Sequence, residues 1–401
     1  MLTLALTVLT LGLLKAPVVY LYDGGGYLLA ITVNFTSISQ YSQVFIVNST
    51  GWFNVSILPN GGRGVLITNT YQYGDWVYLT GFSPSSPLLI GLRLVNAGMV
   101  DVVNLTHYLP INLQPYALAV VNDTIYVFGV INGYASALLV NPRSGVFINL
   151  TGLFKGEWAS STPVSAAVMP NGTLLLLALS SSLTPLLGSL SPNGLRTVTM
   201  PQVKGLPLGL YQFNDQVLIP VMTIRQSQLP LPSLYFSGIT NSYVLGSILL
   251  YYVNGSVVNY TSCINPNAVI FDVYWINSTA AILGGGIVNG AVWEPYIAVL
   301  NVRRCESLSI PMDINGVVFA VAGNWVGGGL NVIYNITTLS GSPFIAKINY
   351  AMSISNLAHG VIPTIYFSPV KEKTAITHEV LIILTLIAGL IILTLLMLRV
   401  R

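Results

Sequence analysis

The chain has 401 residues, of which 53 % are apolar and only 7 % charged, with 15 Lys and Arg against 12 Asp and Glu. So few charges, with no basic stripe, exclude a nucleic-acid surface, which needs clustered Lys and Arg. An average soluble protein carries about 25 % charged residues, so this surface stays wet through Asn, Ser, Thr, Tyr and Gln.

The chain opens on an apolar run, residues 2–14, of signal-peptide rather than membrane-spanning length. No basic residue precedes the run and Pro17 follows Ala16. Residues 1–16 are therefore read as a leader, with a retained first strand as the alternative.

From residue 17 to about residue 360 the chain repeats. Each unit centres on an apolar, β-branched strand entered from a polar turn: Tyr27-Leu28-Leu29, Asp75-Trp76-Val77, Asp123-Thr124-Ile125, Gly172-Thr173-Leu174, Asp215-Gln216-Val217, Ser278-Thr279-Ala280 and Asn324-Trp325-Val326. From Asp75 on, the steps are 48, 49, 43, 63 and 46 residues, and only the 63 needs an insertion. A period near 45 with about four short strands per unit is a propeller pattern. It predicts an all-β, seven-bladed β-propeller over residues 17–368. Strands are lettered A to D from the channel outward. In the third unit they read as residues 116–121, 124–130, 136–140 and 146–150, with a Pro142-Arg143-Ser144-Gly145 turn before D.

The apolar second strand runs into glycines in Ile282-Leu283-Gly284-Gly285-Gly286 and Val326-Gly327-Gly328-Gly329, and into one in Val127-Phe128-Gly129. With the Val140 to Gly145 turn, these segments resemble kelch-like propellers. The resemblance implies the fold and carries no site residues. The glycines are read as close packing between blades rather than a phosphate cradle, because no helix N-terminus follows them. The composition resembles that of membrane-anchored surface proteins of thermophilic, often acid-living archaea.

Chemistry is sparse. His107, His359 and His378 are scattered, and no metal or cofactor pattern emerges. Asp75, Asp123 and Asp215 share the A–B turn, where a carboxylate accepting backbone N–H groups is expected rather than a calcium ring. Cys263 and Cys305 lie 42 residues apart, about one repeat, and are expected to form a disulfide between neighbouring units in an oxidising compartment. Asn34, Asn48, Asn54, Asn104, Asn122, Asn149, Asn171, Asn254, Asn259, Asn277 and Asn335 each head an N-x-S/T triplet, which on an exported domain predicts a glycoprotein.

Most of those triplets fall on A–B turns, C–D turns or outer strands, leaving the face of the B–C and D–A links comparatively bare. That face also receives the long insertion, residues 226–245, with Tyr235, Phe236 and Tyr243, followed in the next unit by Trp293 and Glu294. These five are the expected anchors for a surface glycan or another surface protein, since long loops on a rigid scaffold carry function. The chain reads as a binding module rather than an enzyme. Its rivals are an extracellular hydrolase or lyase using Glu157, Glu294 or Asp272 at the channel mouth, and a structural part of a surface layer.

Residues 369–379, with Lys371, Glu372 and Lys373, read as a short stalk. Residues 380–398 follow, an uncharged run that as a helix spans roughly 28 Å, enough to cross a bilayer. Arg399 and Arg401 then mark the cytoplasmic side, placing the propeller outside. Few carboxylates also predict tolerance of acid.

Overall fold

The computed structural model describes residues 16–348, apart from 26, 37–38, 49–50, 97–98, 192–193, 227–242, 290–291, 311, 313 and 336–337. The leader through residue 15, the stalk and the residue 380–398 span lie outside the described residues, as do Tyr235 and Phe236. No described helix is long and apolar enough to cross a membrane.

Every sequence anchor marks the second strand of a repeat: Leu28–Phe35, Trp76–Ser83, Thr124–Ile131, Leu174–Leu179, Gln216–Gln226, Ala280–Asn289 and Trp325–Asn335. These strands have sheets packed on both sides, so they read as continuous apolar runs rather than alternating ones. The third repeat shows the full pattern, with Leu113–Val121, Thr124–Ile131, Tyr134–Asn141 and Val146–Asn149 paired antiparallel in that order.

The expected seven separate blades are not found. The second to sixth repeats form five sheets of four or five strands, whereas the first and last share one seven-stranded sheet. The joint is the pair Phe35 and Leu339, where Leu28–Phe35 meets Thr338–Lys347. Close approach makes it possible: Cβ atoms on Gly327 and Gly329 would lie 2.7 Å from Val18 and Pro17 side-chain atoms. The first repeat thus packs directly on the last.

A hydrophobic cluster fills each junction between successive repeats. Ile31 meets Leu79, Leu89 meets Leu118, Phe128 meets Leu176, Leu177 meets Ile219, Leu218 meets Leu283, and Ile282 meets Val318 within their respective clusters. Val18, Leu28, Ala320 and Ile345 close the ring between first and last. Burying one such Leu or Ile contributes about 1.5 to 3 kcal/mol.

The innermost strands carry a second periodicity. Their pairing slips at Val19, Thr68, Tyr116, Val164, Phe271 and Phe319, 48 or 49 residues apart except across the fifth repeat. There the inner strand is split into Leu206–Pro207 and Tyr211–Phe213. Each slip is a bulge that turns the inner strand and re-aims its side chains toward the axis. The carbonyl two residues before the bulge presses on the second strand: Cβ atoms on Gly81, Gly129, Gly285 and Gly328 would lie 2.1, 2.2, 2.0 and 1.9 Å from the oxygens of Leu66, Gln114, Val269 and Val317. The middle glycine of each triplet therefore serves its own sheet. Gly284 and Gly327 serve the expected packing between repeats, against Val318 and Val321, and against Val18.

Candidate functional site

The bulged strands bond to one another around the axis. The Tyr20 hydroxyl donates to the Thr68 carbonyl (2.7 Å), Thr68 Oγ1 to that of Pro115 (2.7 Å), and Asn69 Nδ2 to that of Val164 (3.4 Å). Ser165 Oγ accepts from Leu210 N (3.1 Å), Tyr211 donates to the Phe271 carbonyl (2.5 Å), and Asp272 Oδ2 accepts from Val321 N (2.6 Å). Polar side chains thus occupy the centre of the ring, where their bonds compensate burial.

Asp272 is the carboxylate of this network. Burial raises its pKa from 3.8 to about 7, although hydrogen bonds from Val321 N and Val273 N oppose the rise. Burial also raises the Tyr20, Tyr22 and Tyr211 hydroxyls, with the Asp272 charge adding to each. The two other carboxylates of the hydrolase reading are elsewhere. Glu157 is exposed in the short 3-10 turn Gly156–Ser160, and Glu294 is exposed on Val292–Asn301. Among the described residues no group of three His, Cys, Asp or Glu is placed to hold a metal ion.

Of the expected anchors, Tyr243 opens the strand Tyr243–Val253, paired with Gln226, so the insertion is entered and left along one long hairpin. Trp293 is only 6 % exposed, its ring 6.2 Å from Phe271 and 5.9 Å from Tyr334. Phe319 completes that aromatic cluster, and burial moves the Tyr334 hydroxyl up to about 12.

Other side chains stand out on the same face. Ile111, Tyr134, Leu183, Ile224, Val292 and Ile333 are 45 to 77 % exposed, and each lies at or beside the B–C end of its sheet. Leu183 also has a left-handed φ of 59°, unusual for a residue with a branched side chain. Its loop is held by Ser180, Ser182 and Thr184 hydroxyls and by Gly205 N, which donates to the Leu183 carbonyl.

The glycosylation triplets have a structural share. Asn104, Asn149 and Asn259 end outer strands, and each Oδ1 accepts the N–H of the Thr two residues on, at 2.8 to 3.0 Å. Asn171 and Asn277 do the same in A–B turns, while Asn122 and Asn254 adopt left-handed φ in their turns. Asn is thus favoured at these seven by local geometry as well. All seven are exposed, as is Asn54, whereas Asn34 is half-buried. The side chains of Asn48 and Asn335 are outside what is described.

Cys263 and Cys305 are bonded, with their Cα atoms 4.5 Å apart. The bridge joins the end of the fifth repeat, in the short turn Thr261–Cys263, to the C–D turn of the sixth.

No family model matches the chain, and no curated protein matches it. Among solved structures it is similar to a putative 6-phosphogluconolactonase from Bacteroides uniformis, at 14 % identity over 85 % of this chain and 95 % of that one, TM-score 0.46. TolB from Acinetobacter baumannii matches at 11 % identity over 75 % and 68 %, TM-score 0.43. A triple arginine-to-alanine mutant of AofleA from Arthrobotrys oligospora matches at 11 % over 78 % and 91 %, TM-score 0.46.

Proposed function

We propose that the chain is a cell-surface binding module, anchored by residues 380–398, that engages a protein partner through its B–C face. The observation that carries this reading is the set of exposed apolar tips, Ile111, Tyr134, Leu183, Ile224, Val292 and Ile333, gathered on one end of the ring. On the opposite end the turns are built from Asn, Asp and Gly, such as Asn122-Asp123 and Asn254-Gly255. A patterned apolar face rimmed by polar loops is what protein docking uses. The strained, hydrogen-bonded Leu183 loop adds an anchor fixed before contact.

A photo-crosslinking residue at Leu183 or Ile333, in the full chain in its own membrane, should yield a discrete adduct that the same residue at Asn171 does not. Ile224→Asp should remove that adduct. Equal labelling from both faces, or an adduct indifferent to Ile224→Asp, would sink the reading.

One observation favours the hydrolase instead, the near-neutral carboxyl of Asp272. Donors from Val273 and Val321 fix it in place, while Glu157 and Glu294, the other two carboxylates of that reading, are exposed. Hydrolysis of glycosides or esters that is abolished in Asp272→Asn would restore this alternative.

A further inference from the structure

The outer seams between neighbouring repeats differ. Between the third and fourth, Trp158 fills the seam: its ring lies where a Cβ on Gly188 would be, and its Nε1 donates to Thr197 Oγ1 at 2.9 Å. Between the fifth and sixth, the Cys263–Cys305 bridge closes it. Between the second and third a cleft of about 340 Å³ stays open.

That cleft collects charge in a chain that has little. Tyr73, Asp75, Trp76 and Arg93 line it from the second repeat, and Asp123 and Arg143 from the third. Arg93 pairs with Asp101 at 2.5 Å and sits 5.5 Å from the centre of the Trp76 ring, while Arg143 pairs with Asp123 at 3.1 Å. Asp75 has no ion-pair partner among the described residues. Exposed pairs of this kind contribute little to stability, so the fold does not require them there.

We infer that this cleft binds a neutral sugar. Arg93 and Arg143 with Asp75 and Asp123 set donors beside acceptors in the cleft, the arrangement that two adjacent ring hydroxyls can satisfy, since every hydroxyl both donates and accepts. Tyr73 and Trp76 supply an apolar wall for the C–H side of the ring. An anionic ligand would meet the carboxylates of Asp75 and Asp123, and an apolar one would strip water from the Arg143–Asp123 pair without replacing it. The sugar could be free or the chain's own. Asn104 stands between the lining residues Val103 and Leu105, and Asn122 precedes Asp123, so an N-glycan on either would start beside the cleft.

The test uses the full chain in a zwitterionic, sugar-free detergent. Saturation-transfer NMR is recorded with the methyl α-glycosides of glucose, mannose and galactose, and with glucuronate as the anionic arm. At least one neutral glycoside should show transfer, with affinity falling about tenfold or more in Trp76→Ala and in Asp75→Asn, the latter an exposed turn substitution that spares folding. If the glycosides bind only after Asn104→Gln or Asn122→Gln, the natural occupant is the chain's own glycan; if they bind without it, a free sugar. Absence of transfer in every one of these proteins, transfer unchanged in both cleft variants, or binding of glucuronate alone would overturn the inference.

Discussion

Seams three to four and five to six are built to hold. One buries Trp158 over Gly188, and the other carries the Cys263–Cys305 bridge. Seam two to three joins two four-strand sheets, as seam three to four does, yet it is lined by exposed charged side chains around an open cleft. The contrast teaches that a propeller junction is secured mainly by its inner apolar cluster, here Leu89, Leu118, Ile125 and their neighbours. The outer part of a seam is then free either to add stability or to present chemistry.

The comparison can be broken first at the closed seams. Trp158→Ala should cost about 3 to 5 kcal/mol, the usual loss for a buried aromatic ring whose space cannot refill. A urea midpoint that moves no more than that of a cleft variant would show that seam three to four is not held by this ring. Reducing Cys263–Cys305, or replacing both by Ser, should cost about 4 kcal/mol on chain-entropy grounds for a loop of this length. Thermal unfolding with and without reductant measures it, and coincident curves would refute it.

A pH series probes the inner end of the sixth repeat. Asp272 has a folded pKa of about 7 against 3.8 when free, so the folded chain holds this proton more tightly than the unfolded chain. Its contribution is full below about pH 4 and is lost as pH rises through about 7. The melting temperature should therefore decline across that window, with a shallower slope in Asp272→Asn; a flat profile in the parent protein would contradict the assignment. Smallest of all, Arg143→Ala should change stability by less than about 1 kcal/mol, because the Asp123 pair is exposed. A larger loss would mean that the open seam, too, is structural.

The parts of this molecule that are legible in the chain are those that local geometry dictates. Second strands announce themselves as apolar β-branched runs because both their faces are covered. Turns announce themselves through Asn and Gly because left-handed φ admits few other residues. The disulfide was legible because only two cysteines exist to pair. Local rules also mislead: several glycosylation triplets coincide with the Asx turns that end outer strands, so their number alone overstates the signal.

What depended on the assembled ring could not be read in advance. Asp75-Trp76 and Glu157-Trp158 are alike in sequence, an acid before a tryptophan, yet Trp76 lines an open cleft and Trp158 is buried against the next sheet. Trp293 looked like a loop anchor and is packed against Phe271 and Tyr334. Asp272 reads in the sequence as one of three candidate hydrolase carboxylates, and what sets it apart from Glu157 and Glu294 is its burial near Tyr20, Tyr22 and Tyr211 of other repeats. The sharing of one sheet by the first and last repeats rests on Phe35 meeting Leu339, more than 300 residues away. Each of these outcomes is set by which side chains distant repeats bring to the same place, and a period along the chain holds no record of that.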